Sequence, residues 1–132
     1  MTQGPQPLTV LVLDDEASIR DSLRRFLQLY GYVCVEADTV DAAVRILESR
    51  RIDAVILDVR LPDQQSGLDV LAPLRSRAEF ERVPVLILTG GVLTDKEEAL
   101  ITRQRAHIFY KPEGFDTLLN FLDQLTGRDR AH

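Results

Sequence analysis

Short β-branched runs alternate five times with longer stretches of helical spacing, and this alternation restricts the fold more than any other feature. The runs are Thr9-Val-Leu-Val-Leu13, Tyr32 to Val35, Ala54-Val-Ile-Leu57, Val85-Leu-Ile-Leu88 and His107 to Tyr110. They are close to continuously hydrophobic, as strands of a parallel sheet buried on both faces must be. Between them, Ile19, Leu23, Phe26, Leu27 and Tyr30 share one face of a helix that Gly31 can close. Val40, Ala43, Val44 and Leu47 repeat the spacing after Thr39, an N-cap residue type. Leu118, Leu119, Leu122 and Leu125 mark a last helix ending near Gly127. Strands and helices in this order call for an α/β fold, a parallel sheet covered on both faces.

Two helices are less regular. Leu68, Leu71 and Leu74 suggest the third, but Pro73 would remove a backbone donor from a helix begun at Ser66. A kink or a late start is expected there. Thr94 followed by Glu97 resembles a capping box opening the fourth. The body of that helix, Glu98 to Arg105, has a poor apolar stripe, so it is predicted to be the least firmly anchored.

A chain of 132 residues with 45% hydrophobic content suits one domain. The expected organisation is a lead-in over 1–7, a folded unit over 8–127 and a polar tail over 128–132. Sixteen basic against 21 acidic side chains give a net charge of −5, without the basic excess that nucleic acid or anionic membrane attracts. Direct DNA binding and membrane insertion are therefore not expected. The longest apolar runs, Leu8 to Leu13 and Val83 to Leu88, are strand-sized and far too short for a bilayer. The first seven residues have no basic start and no apolar signal region. The single cysteine, Cys34, cannot form an internal disulfide and reads as a small buried side chain in a strand. A cytoplasmic location is the expectation.

Ligands of open α/β sheets bind beyond the carboxyl ends of the strands. Here those ends carry Asp14-Asp15, Asp58, Thr89 and Lys111-Pro112. With the second strand at the sheet edge, the other four ends converge on one cleft. Three neighbouring carboxylates repel unless a cation sits among them. An all-oxygen acidic site suits a hard ion such as Mg2+. A carboxylate at the centre could attack phosphorus, with the metal and Lys111 neutralising charge on the transferred group. Singly, each residue also has an ordinary explanation. The aspartates can be turn or cap residues, Lys111 a solvated lysine, and Thr89-Gly90-Gly91 is too short for a phosphate loop. It is the ordered set that carries the chemistry.

Asp14-Asp15-Glu16, Asp58 with Pro62 four residues on, Thr89-Gly90 and Lys111-Pro112 together resemble the receiver domain of two-component response regulators, the CheY-like family. The resemblance runs from about residue 8 to residue 126. It implies a doubly wound, flavodoxin-like sheet of five parallel strands in the order 2-1-3-4-5, flanked by five helices. It also implies that Asp58 accepts a phosphoryl group from a sensor histidine kinase or a histidine phosphotransfer protein. Asp15, Asp58 and the backbone carbonyl of Arg60 would bind Mg2+, with Asp14 acting mainly through water. Thr89 and Lys111 would hold phosphoryl oxygens, and the Lys111–Pro112 peptide would be cis. Such a module assists its own phosphorylation and dephosphorylation rather than turning over as an enzyme. Its output face would be the fourth helix, fifth strand and fifth helix, acting on a downstream protein, through a homodimer or by onward phosphotransfer.

Several positions depart from the family pattern. Gly67 falls nine rather than eight residues after Asp58, so the loop Asp63 to Ser66 is one residue longer. Three residues before Lys111, where many receivers carry a switching Tyr or Phe, stands Ile108, with Phe109 and Tyr110 next. Gln104-Arg105 replaces the usual Gly-Ala pair. Arg60 and Gly91 occupy positions that tune phosphoryl lifetime. Arg20, Arg24, Arg25 and Arg45 are expected to face solvent, and His107 to be structural. The alternative is a receiver-like protein-binding module that works without phosphorylation, which Ile108 and the long loop keep open. A hydrolase of the haloacid dehalogenase type needs a second carboxylate where Arg60 stands. A flavodoxin needs a hydroxyl-rich first turn where this chain is acidic.

Overall fold

The structure, a computed structural model, describes residues 7–110 and 114–128. The strands are β1 (Thr9–Leu13), β2 (Val33–Ala37), β3 (Ala54–Asp58), β4 (Val85–Thr89) and β5 (His107–Tyr110). The helices are α1 (Ala17–Leu29), α2 (Val40–Ser49), α3 (Leu71–Arg75), α4 (Asp95–Arg103) and α5 (Phe115–Thr126), with short 3-10 turns at Gly67–Val70 and Ala78–Phe80. All five strands are parallel in one sheet, ordered β2-β1-β3-β4-β5.

The continuous hydrophobic runs follow from the way the sheet is covered. Successive side chains on a strand point to opposite faces. Leu11, Leu13, Val55, Leu57, Val85 and Ile87 enter a core closed by Ala43 and Leu47 of α2, Leu71 and Leu74 of α3, and Ile101 of α4. Val10, Val12, Ala54, Ile56, Leu86 and Leu88 enter a second core with Leu23 and Leu27 of α1 and Leu118, Leu119 and Leu122 of α5. The outer strands β2 and β5 are only partly covered.

Local signals account for most helix ends. Thr39 caps α2 by accepting the Ala42 N–H at 3.1 Å, and Gly31 leaves α1 with a positive φ of 90°. α3 starts late, after the 3-10 turn, and Pro73 sits in its opening turn, where a missing N–H costs least. At α4 both halves of the capping box form: Glu97 N–H to Thr94 Oγ1 at 3.1 Å, and Thr94 N–H to Glu97 Oε1 at 2.8 Å.

Tyr32 precedes β2 rather than belonging to it. Its ring is buried and its hydroxyl donates to Asp123 Oδ1 of α5 at 2.5 Å. Arg128 lies over the ring, 4.8 Å from the centroid. Burial first, and the Asp123 bond second, hold the Tyr32 hydroxyl above its ordinary pKa of 10.0. Cys34 is half-buried, and burial pushes its thiol up to about 12, so little thiolate exists at neutral pH. No helix among the described residues is long and apolar enough to cross a membrane. Residues 1–6 of the expected lead-in (1–7) and 129–132 of the expected tail (128–132) lie outside the described residues.

Candidate functional site

Strand register brings the acidic residues together. Leu13 is level with Leu57, and Asp58 with Leu88, so β1, β3 and β4 end side by side. Asp14 follows β1 directly, Asp58 is the last residue of β3, and Thr89 the last of β4. Asp14 is 2% exposed, Asp58 6% and Thr89 3%. Ligand oxygens of Asp14, Asp15 and Asp58 lie within 4.8 Å of one another, the only such group among the described residues. Three carboxylates at this spacing favour a cation between them, and their all-oxygen donor set fits a hard divalent ion.

The turn that carries two of the three is held from several directions. The Asp14 N–H donates to Ala37 O at 3.2 Å, and Asp14 Oδ1 accepts the Glu16 N–H at 2.9 Å. Arg20 Nη1 donates to the Asp14 carbonyl at 2.6 Å, while its Nε lies 3.4 Å from Glu36 Oε1 on β2. The expectation that Arg20 faces solvent is therefore corrected: its side chain is 16% exposed and braces the acidic turn against the sheet edge. Arg24 also pairs with Glu36, at 3.1 Å, and with Asp21. Nothing in the spacing of these residues announces the brace, because Arg20 reaches a backbone carbonyl.

After Asp58 the chain makes a small hairpin. Leu61 N–H bonds Gln65 O at 3.1 Å and Gly67 N–H bonds Val59 O at 3.0 Å, so Arg60 faces Ser66 in an antiparallel bridge. These bonds do not use the Arg60 carbonyl, which the resemblance assigns to the metal. The extra loop residue is absorbed at Asp63 and Gln64, both at φ 60°, with Gln65 N–H bonded to Pro62 O at 3.2 Å. This is a two-residue turn of type I′, a geometry that normally favours Asn-Gly or Asp-Gly. Gly67 is required for a different reason. A Cβ there would lie 1.9 Å from the Asp58 carbonyl oxygen, so any side chain would displace the backbone of the central carboxylate.

Across the cleft, Thr89 Oγ1 donates to Gly91 O at 3.2 Å and accepts the Gly91 N–H at 3.3 Å. Ile108 is half-buried and packs into the core beneath α2, α3 and α4, whereas Phe109 enters the opposite core. Strand alternation thus puts Phe109 on the face of β5 opposite to Ile108. Arg60, exposed in the loop after β3, forms a two-pronged ion pair with Glu97 of α4 at 2.5 and 3.1 Å. Arg60 Nη2 also donates to Val92 O at 3.2 Å. Mutual contact holds Glu97 below and Arg60 above their ordinary pKa values. Lys111 and the Lys111–Pro112 peptide lie outside the described residues.

An open cavity of about 930 Å3 lies at the opposite ends of the strands. It is lined by charges of both signs, among them Arg50, Arg51, Glu79 and Glu81, and contains no member of the acidic cluster.

Residues 10–123 match the family model of the response regulator receiver domain. The chain belongs to that family. It is therefore a phosphoacceptor module of two-component signalling. It is 44% identical over 123 residues to the probable transcriptional regulatory protein TcrX of Mycobacterium tuberculosis, covering 93% of this chain and 51% of that protein. The receiver chain thus spans about half the length of such curated relatives, 48% for the response regulator MprA of Mycolicibacterium vanbaalenii. Among solved structures, the chemotaxis protein CheY4 of Vibrio cholerae superposes with a TM-score of 0.81 at 27% identity, covering 90% of this chain and 98% of that one. The receiver domain of the sensor histidine kinase PA1611 from Pseudomonas aeruginosa has the same fold, with a TM-score of 0.79 at 24% identity over 92% of this chain and 98% of that one.

Proposed function

We propose that Asp58 is the carboxylate that accepts the phosphoryl group. The observation that carries this is the convergence of Asp14, Asp15 and Asp58 within 4.8 Å, with Asp58 ending β3, the strand between β1 and β4. The donor is a phosphohistidine on a sensor histidine kinase or a histidine phosphotransfer protein. An Asp58 oxygen forms a bond to phosphorus as the P–N bond breaks, and the electron pair leaves with the imidazole, which takes a proton from solvent. Asp15, Asp58 and the Arg60 carbonyl would hold Mg2+ directly, with Asp14 orienting a water ligand. Bound there, the ion supplies positive charge to the phosphoryl oxygens. The PA1611 receiver carries a magnesium ion in its active-site cleft, which supports this assignment.

Thr89 turns its hydroxyl from Gly91 to a phosphoryl oxygen, and Lys111 pairs with another. The folded unit spans 8–127 and works in the cytoplasm, and α4, β5 and α5 form the face that signals onward to a protein partner. The module assists both gain and loss of its own phosphoryl group. Ile108 at the switching position favours a second reading, a binding module that works without phosphorylation. Incubation with acetyl phosphate and Mg2+, followed by intact mass, separates the two. Wild type is expected to gain one phosphoryl mass and Asp58→Asn none. No gain, or equal gain in both, overturns the first reading, and beryllofluoride binding followed by NMR covers a short-lived adduct.

A further inference from the structure

We propose that Arg60 is a second phosphoryl-binding cation held in reserve by Glu97, and that phosphorylation transfers it from Glu97 to the phosphoryl group. This rests on Asp58 being the phosphoacceptor. Asp58 and Arg60 are two residues apart, on either side of the buried Val59, where the chain bends out of β3. Asp58 contributes to the charge field that Arg60 feels. The Arg60 side chain is 61% exposed, so changing partner requires no repacking.

In the resting molecule this guanidinium ties three segments together. Its root follows β3, its Nη2 holds the Val92 carbonyl in the loop that begins at Thr89, and its fork grips Glu97. Glu97 Oε1 at the same time accepts the Thr94 N–H that closes the N-terminus of α4. The Glu97 carboxylate, 18% exposed, offers one negative charge and two oxygens, one of which already accepts the Thr94 N–H. A phosphoryl group brings up to two negative charges and three acceptor oxygens, and takes two-pronged bonds from arginine more strongly. Once Arg60 turns to it, the Val92 carbonyl and Glu97 are both released, and the N-terminus of α4 keeps only its own cap. The charge change at β3 therefore reaches α4 directly, along a route independent of Ile108. Thr89 acts on the same loop from its other end, since its present partner is Gly91.

The test is beryllofluoride affinity in saturating Mg2+, read by NMR on the 132-residue chain, for wild type, Arg60→Ala, Glu97→Gln and the double variant. Arg60→Ala keeps the backbone carbonyl, and glutamine at 97 can still accept the Thr94 N–H. Arg60→Ala is expected to weaken binding, and Glu97→Gln to tighten it, each by about fivefold or more, a typical coupling between sites. In the Arg60→Ala background the effect of Glu97→Gln should vanish. Backbone amides at Val92 and in the first turn of α4 should shift on binding in wild type and much less in Arg60→Ala. A purely structural ion pair would change thermal stability and leave beryllofluoride affinity untouched, which overturns the proposal while Asp58 keeps its role. An equal effect of Glu97→Gln with and without Arg60 overturns it as well. No beryllofluoride uptake by wild type sinks both the proposal and the assignment of Asp58.

Discussion

The helices α1 and α5 and the helix α4 cover the same sheet by different means. α1 buries Leu23 and Leu27, and α5 buries Leu118, Leu119 and Leu122, in one core that also encloses Tyr32. α4 has nine residues and buries Ile101 alone. It is held instead at its N-terminus, by the Thr94–Glu97 capping box and the Arg60 fork. Apolar burial is broad, non-directional and insensitive to local charge, whereas a cap and an exposed ion pair are few and charge-dependent. A molecule that must keep its fold while changing one surface gains from this division. Under the proposed function, the side held by apolar contact is the one that persists, and the side held by charges is the one that phosphorylation of Asp58 would reach.

The largest test of this contrast is Leu122→Ala, which empties a fully buried site between α5 and the sheet. It should lower unfolding free energy by about 2–5 kcal/mol in urea denaturation. Tyr32→Phe removes the bond to Asp123 and should cost about 1.5–3 kcal/mol, the range for hydrogen bonds to charged partners. The same bond has a pH signature. Because the folded-state pKa of Tyr32 is raised, its contribution is complete below the ordinary value of 10.0 and is lost as pH climbs beyond it. Wild type should therefore lose stability relative to Tyr32→Phe above pH 10.0, and parallel curves would remove Tyr32 from the account.

Thr94→Ala touches only the cap and should cost about 1 kcal/mol. Its effect on hydrogen exchange should be confined to α4, leaving α1 protected. Uniform loss across both helices would break the comparison. The Glu97 carboxyl, held low by Arg60 and by the Thr94 N–H, stabilises α4 above its ordinary pKa of 4.5, and that contribution is lost as pH falls below it. The smallest change is Gln64→Gly, which relieves a left-handed residue in the I′ turn and should stabilise by about 1 kcal/mol. A loss of stability there would show that the Gln64 side chain makes a contact worth more than the backbone strain.

Much of the fold was legible because each central strand is covered on both faces. β1, β3 and β4 therefore stand out as unbroken apolar runs whose first polar residue marks the strand end. That is why Asp14, Asp58 and Thr89 could be read as strand-end residues, while their being neighbours followed only from the strand order that the family resemblance implies. The capping box at Thr94 and the late start of α3 at Pro73 were legible for a similar reason, since both are local backbone chemistry. Arg20 and Arg60 were not. Charged side chains on exposed elements look alike in sequence, and neither the pairing of Arg60 with Glu97, 37 positions on, nor the reach of Arg20 to a backbone carbonyl leaves a periodic mark.

The amino-acid sequence alone determined the class of fold, the five strands and the acidic strand ends, because period and turn chemistry act over a few residues. Tertiary structure decided which partners those ends acquire. Gly67 is visible in the sequence, but only packing shows that it makes room for the Asp58 carbonyl. Glu97 is visible as a cap, but only the fold brings Arg60 to it, and with it the link between the acidic site and α4. Contacts of this kind depend on where strand ends and helix ends meet in space, which no local pattern encodes.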